Sequence, residues 1–161
     1  MFGTKKLIAG VAGGLAGGLV FGMMMAMMGM LPMIGKMVGS PTVAAGWLVH
    51  LAISATIGAS FAVLLGWLAQ GPVSSTLFGT LYGAVWWLLG PLTLMPLMMG
   101  MGLGANWNAA AAAGSLPSLV GHGVFGVSLG FAYDLVQRRL TDGRRGPDRA
   151  PTEAEAAVSQ G

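Results

Sequence analysis

Apolar residues fill four long blocks of this chain, and Pro, Gly and Ser punctuate the gaps between them. The first block runs from about residue 7 to 30 and stops near Pro32. The second, 43–69, follows "GSPT" and ends at "QGPVSS"; the third, 76–99, contains Pro91 and Pro96; the fourth covers 116–137. Each block holds at least the roughly 20 mostly apolar residues that cross about 30 Å of hydrocarbon as an α-helix. The pattern predicts an all-α, polytopic membrane protein with four transmembrane helices in one domain, residues 1–137. Pro91 and Pro96 remove backbone donors and predict a kink in the third span. From Arg138 to Gly161 the chain is polar and nearly free of large apolar residues, which predicts a disordered basic cytoplasmic tail.

Composition sharpens the class. The 161 residues are 55% hydrophobic and only 8% charged, with no charged residue between Lys36 and Asp134. The mean hydropathy is +0.74, far from the quarter-charged make-up of soluble domains. The net charge of +3 comes from Lys5 and Lys6 at one end and Arg138, Arg139, Arg144, Arg145 and Arg149 at the other. Such clusters orient a chain in the bilayer and do not imply nucleic acid. They predict the plasma (inner) membrane with both termini cytoplasmic, a parity that four spans satisfy. The loops near Lys36 and Asn106 then face outwards, the second carrying a short interfacial helix anchored by Trp107. The absence of cysteine excludes disulfides, thiolate metal sites and thiol catalysis. Lys5 and Lys6 precede an apolar run too long for the usual h-region of about 7 to 15 residues, so the run reads as a span rather than a signal peptide.

Small residues recur at helical spacing. Gly10, Gly14, Gly18 and Gly22 fall every fourth position, a glycine zipper that lets a second helix backbone approach closely. The same period starts from each of the chain's two histidines, as His50, Ser54, Gly58 and as His122, Gly126, Gly130. The halves also resemble one another: "GLVFG" matches "GTLYG", "LPMIG" matches "MPLMMG", and His50, Gly58 and Phe61 fall on His122, Gly130 and Tyr133 at one offset. Both halves begin on the same side, so the match predicts a parallel two-helix repeat.

The candidate chemistry gathers at one depth. Each histidine lies about seven residues, roughly 10 Å, inside the outward end of its helix. All twelve methionines beyond Met1 surround the outward ends of the first and third spans. Thioethers and neutral imidazoles suit Cu(I), which points to a soft metal site with His50, His122, Met27, Met30, Met95, Met98 and Met99 as ligands. Methionine also serves as an adaptable filler of irregular gaps between glycine-rich helices, whereas an ionisable group inside a membrane is costly and usually functional. A second cofactor reading is haem b with His50 and His122 as axial ligands. Gly46, Gly121 and Gly123 would make room for the macrocycle, but few basic residues are at hand for its propionates. No carboxylate precedes Asp134, so paired-acid hydrolysis and a Ser-His-Asp triad are unsupported, and the protein reads as non-enzymatic. Asp134 and Arg138 are spaced for an i,i+4 ion pair.

The "WLVH" of Trp47 to His50, the "GTLYGAVWW" opening the third span, "MPLMMG" and "LVGHGVFGVSLGFAYD" resemble a family of small bacterial and archaeal four-helix membrane proteins without an assigned activity. The resemblance covers roughly residues 15–137. It implies the four-span architecture and singles out the same His, Pro and Gly positions. Two function classes stay open: an outward-facing His/Met-lined pocket that binds a soft metal ion, and a non-catalytic accessory or assembly subunit, as a homo-oligomer or within a larger membrane complex.

Overall fold

A computed structural model describes residues 3–142. Among these the chain is all-helical: α1 Thr4–Met27, α2 Leu31–Lys36, α3 Val43–Leu65, α4 Pro72–Leu89, α5 Met95–Met98, α6 Ala109–Gly114 and α7 Leu116–Asp142. Four helices are long and apolar enough to cross a membrane: α1, α3, the segment Pro72–Met98 that joins α4 to α5, and α7. The protein is a multi-pass membrane protein. Leu19, Leu48, Leu81 and Phe131, one from each span, are exposed, as helices solvated by lipid require.

Local chemistry fixes where each span stops. α1 ends three residues before the expected boundary because Gly29 takes φ +68, a left-handed conformation natural to glycine. The Gly29 amide then closes on Ala26 and the Met30 amide on Met25, which satisfies the last carbonyls. Immediately afterwards Leu31–Lys36 forms α2, an element the expected loop did not include; Pro32 sits in its first turn, where a missing N–H costs nothing. α3 stops at Leu65 rather than at Ala69 because the chain turns back after Gly66, with the Leu68 and Ala69 amides both bonding the Leu65 carbonyl. α4 starts four residues early, with Gly71 at φ +143 making the turn and Pro72 opening the helix. α7 continues five residues past Gln137, to Asp142, and Asp134 pairs with Arg138 at 2.8 Å. The tail expected to be disordered lies outside the described residues from position 143 onwards, with Arg144, Arg145 and Arg149.

The kink expected from Pro91 takes the form of a π-turn, Gly90–Leu94, between α4 and α5. Proline lacks the N–H for the normal ladder and its ring crowds the carbonyl four residues back, so the turn widens. Thr93 repairs part of the ladder by donating its hydroxyl to the Leu88 carbonyl at 2.8 Å.

Glycine contacts set the packing. α1 is sandwiched between α3 and α7, and α7 in turn packs on α4. A Cβ on Gly58 would lie 2.7 Å from Gly14 Cα, and one on Gly18 would lie 2.5 Å from Ser54 Oγ. In the other half, a Cβ on Gly79 would fall 2.9 Å from the Gly130 nitrogen, and one on Gly126 2.8 Å from Thr80 Cα. Gly18 against Ser54 thus corresponds to Gly79 against Gly126, and Gly22 beside His50 to Gly83 beside His122. The α1/α3 and α4/α7 pairs pack in one register, which is the geometry of a parallel repeat. The two remaining edges of the bundle differ, because α1 and α7 pack closely whereas α3 and α4 hardly touch. What joins α3 to α4 is a hydrogen bond of 2.8 Å between Ser60 and Tyr82, with Phe61 stacked against Tyr82.

At the end where α1 begins and α7 finishes, here the proximal end, the lysines act as clasps. Lys6 Nζ donates to the Gly66 carbonyl at 3.0 Å and Lys5 Nζ to the Leu140 carbonyl. Each ammonium thereby meets the carbonyl-rich C-terminus of a helix, α3 or α7, where the macrodipole favours a cation.

Candidate functional site

The distal half of the weakly joined α3/α4 edge is hollow. A cavity of about 490 Å³ lies there, and α1 and α7 contribute to its wall through Phe21 and Met25 and through His122 and Phe125. Its residues come from every span and from α2, and among the described residues no carboxylate, lysine or arginine lines it. Ile53 on α3 and Leu94 beyond the π-turn both line the cavity and are themselves 38% and 44% exposed, as are Met28 and Met98, at 58% and 57%.

Both histidines line this one cavity, held by different means. His50, only 8% exposed, donates Nε2–H across the interface to the Gly18 carbonyl on α1 at 2.9 Å. His122 donates Nδ1–H to the Ser118 carbonyl of its own helix at 2.7 Å. A carbonyl only accepts, so each bond fixes the tautomer. The lone pair of the neutral ring is therefore on Nδ1 of His50 and on Nε2 of His122. Neither atom has a hydrogen-bond partner among the described residues. His122 Nε2 stands 3.7 Å from where a Gly90 Cβ would be, so the π-turn begins beside it at a residue with no side chain. Phe21 is set edge-on to both rings, with centroids 5.7 Å from His50 and 4.9 Å from His122.

Of the methionines expected as ligands, Met30, Met95 and Met98 line the cavity, whereas Met27 and Met99 do not. Met27 is the last residue of α1 and 87% exposed; Met99 follows α5 and is 63% exposed. Helical phase explains the first. Phe21, Met24, Met25 and Met28 occupy positions i, i+3, i+4 and i+7 of one stripe, and Met27 falls off it. Met24, Met25, Met28 and Met37, which had not been singled out, join the wall instead. The stripe could have been found by counting from Phe21, the one aromatic of α1. The room expected for a macrocycle beside Gly46 and Gly121 is already filled. A Cβ on Gly46 would strike Leu31, and one on Gly121 would strike the Phe21 ring; only Gly123 has nothing within 4 Å.

Among the described residues no three of His, Cys, Asp and Glu converge. A metal ion bound in this cavity would therefore need thioether sulfur as well as imidazole. Trp86 also lines the cavity, but its Nε1–H is buried and without a partner among the described residues. No family model, curated protein or solved structure matches the chain.

Proposed function

We propose that this protein is a plasma-membrane binding protein, both termini cytoplasmic, whose outward-facing cavity holds a soft monovalent metal ion such as Cu(I). One observation carries the reading. Two imidazoles with backbone-fixed tautomers expose a lone pair each to a cavity whose other soft donors are methionine sulfurs, seven in number. Such a donor set is neutral and matches the preference of Cu(I) for thioether and imidazole. It offers nothing to hard cations, which need carboxylate or carbonyl oxygen in numbers. His50, His122, Met30, Met95 and Met98 are the ligands from which the set would be drawn, with Met24, Met25, Met28 and Met37 beside them. The role is read as binding rather than catalysis, because among the described residues no carboxylate lines the cavity to pair with either imidazole.

Haem b has less support. An axial bond to His50 through Nε2 would displace Gly18, and Phe21 already lies against both rings. The lysine clasps at the proximal end support the orientation, since basic residues favour the cytoplasmic side.

Titration of detergent-purified protein with Cu(I) under a reducing chelator tests the reading. The expected result is one ion per chain, lost on combined replacement of His50 and His122 by leucine with helical content kept. Wild-type protein that takes up no copper defeats it.

A further inference from the structure

A copper ion occupies a small part of the space that the histidines face. The cavity measures about 490 Å³, within the roughly 300 to 1,000 Å³ of sites that enclose small organic molecules. We propose that it is also the binding site of a neutral, lipid-phase molecule with a hydroxyl head on an apolar body, which enters from the bilayer between α3 and α4.

The wall chooses the head group. His50 Nδ1 and His122 Nε2 are acceptors, because their partner nitrogens already donate to Gly18 and Ser118. The indole donor of the wall, Trp86 Nε1–H, is buried, and the hydroxyls of Ser54 and Ser118, which also line it, can donate or accept. An O–H group satisfies a lone pair; a carboxylate or phosphate would bring further lone pairs and an unpaired charge into an apolar site, at a large desolvation cost. A quinone carbonyl has nothing to donate to either imidazole and could only accept from a serine hydroxyl. The body follows from Ile53, Ile57, Phe125, Trp86 and Leu94, which surround the rest of the volume. The entry is supported by the bundle: α3 and α4 are joined at Ser60 and Tyr82, and the cavity-lining Ile53 and Leu94 on the two sides of that edge are exposed within spans that lipid would surround.

The site is shared with the proposed copper site, but the inference does not rest on that reading. It is tested on copper-free protein in nanodiscs, kept anaerobic with a chelator, using decylubiquinol, decylubiquinone and dioctanoylglycerol. Decylubiquinol and decylubiquinone share one body and differ in hydroxyl against carbonyl heads. The hydroquinone is expected to bind at least tenfold more tightly than the quinone, and H122L is expected to erase that difference. Dioctanoylglycerol distinguishes the source: binding comparable to the hydroquinone assigns an alcohol-headed lipid, and weaker binding assigns a phenolic one. I53W narrows the opening at a residue that neither ligates nor hydrogen-bonds, so it should weaken the hydroxyl probe at least tenfold. The triple variant M30L/M95L/M98L should weaken copper uptake and leave binding of the hydroxyl probe unchanged. Failure of both hydroxyl probes to bind, or equal affinity for hydroquinone and quinone, overturns the proposal whether or not copper binds.

Discussion

His50 and Gly18 are joined across the α1/α3 interface by a hydrogen bond of 2.9 Å, whereas His122 spends its equivalent bond on Ser118 of its own helix. The repeat places the two imidazoles at matching positions, and the hydrogen bonds break its symmetry. Cross-helix hydrogen bonds in membranes average about 0.6 kcal/mol and reach about 1.7. A bond within one helix contributes nothing to holding two helices together. His50→Ala is therefore expected to lower stability by about 1 kcal/mol and His122→Ala by clearly less, read from SDS-titrated unfolding in mixed micelles. Equal losses would mean that the interhelical bond carries no weight.

The methionines separate into two groups that sequence position alone does not distinguish. Met30, Met95 and Met98 line the cavity; Met27 and Met99 face away from it. Leucine is close to methionine in volume, so the swap removes sulfur with little change in packing. M30L/M95L/M98L is expected to weaken Cu(I) binding at least tenfold in competition with a chromophoric chelator. M27L/M99L should match the wild type. Identical affinities for the two variants would exclude Met30, Met95 and Met98 as ligands.

Much of this arrangement is legible in the sequence because lipid imposes simple rules. Four apolar blocks give four spans, and small residues at every fourth position give the contacts Gly14/Gly58, Gly18/Ser54 and Gly79/Gly126. The shared cavity of His50 and His122 follows from equal depth and like phase. What is not legible depends on where helices end and which neighbour a side chain meets. Met27 and Met30 are three residues apart, and Gly29 lies between them at φ +68, so helical spacing counted from α1 does not carry to Met30. Lys5 and Lys6 read as orienting charges, and only the folded chain brings them to the carbonyls of Leu140 and Gly66. Phe21 looks like one more apolar residue until Gly121 leaves a space for its ring.

Orientation is checked independently of the site. The start of α1 and the end of α7 share one end of the bundle, since Lys5 reaches Leu140. With the basic clusters retained in the cytoplasm, a cysteine introduced at Asn106 or Ser40 should react with a membrane-impermeant maleimide in intact cells, and one at Gln70 should not. Labelling at Gln70 alone would invert the topology and turn the cavity towards the cytoplasm.

The glycines of α7 offer the sharpest test of the packing, because Gly123 and Gly126 lie three residues apart on one helix. A Cβ on Gly126 would come within 2.8 Å of Thr80 Cα and of the Gly79 carbonyl carbon, so no rotamer of a larger side chain relieves the clash and α4 must move away. Nothing lies within 4 Å of a Cβ on Gly123. Overpacking in a tight interior costs typically about 1 to 3 kcal/mol and sometimes more, whereas replacing a glycine in open helix surface gains up to about 1 kcal/mol in helix propensity. Gly126→Leu is thus expected to destabilise the protein by at least about 2 kcal/mol, and Gly123→Leu to leave it unchanged or slightly firmer. The repeat pairs Gly58 of α3 with Gly130 of α7: Gly58→Leu would drive a side chain into Gly14 as Gly130→Leu would into Ser75 and Thr76. Comparable losses at Gly58 and Gly130, measured in the same mixed micelles, would show that the two helix pairs share one packing solution; a tolerated Gly126→Leu would show that α4 and α7 do not approach as closely as their backbones indicate.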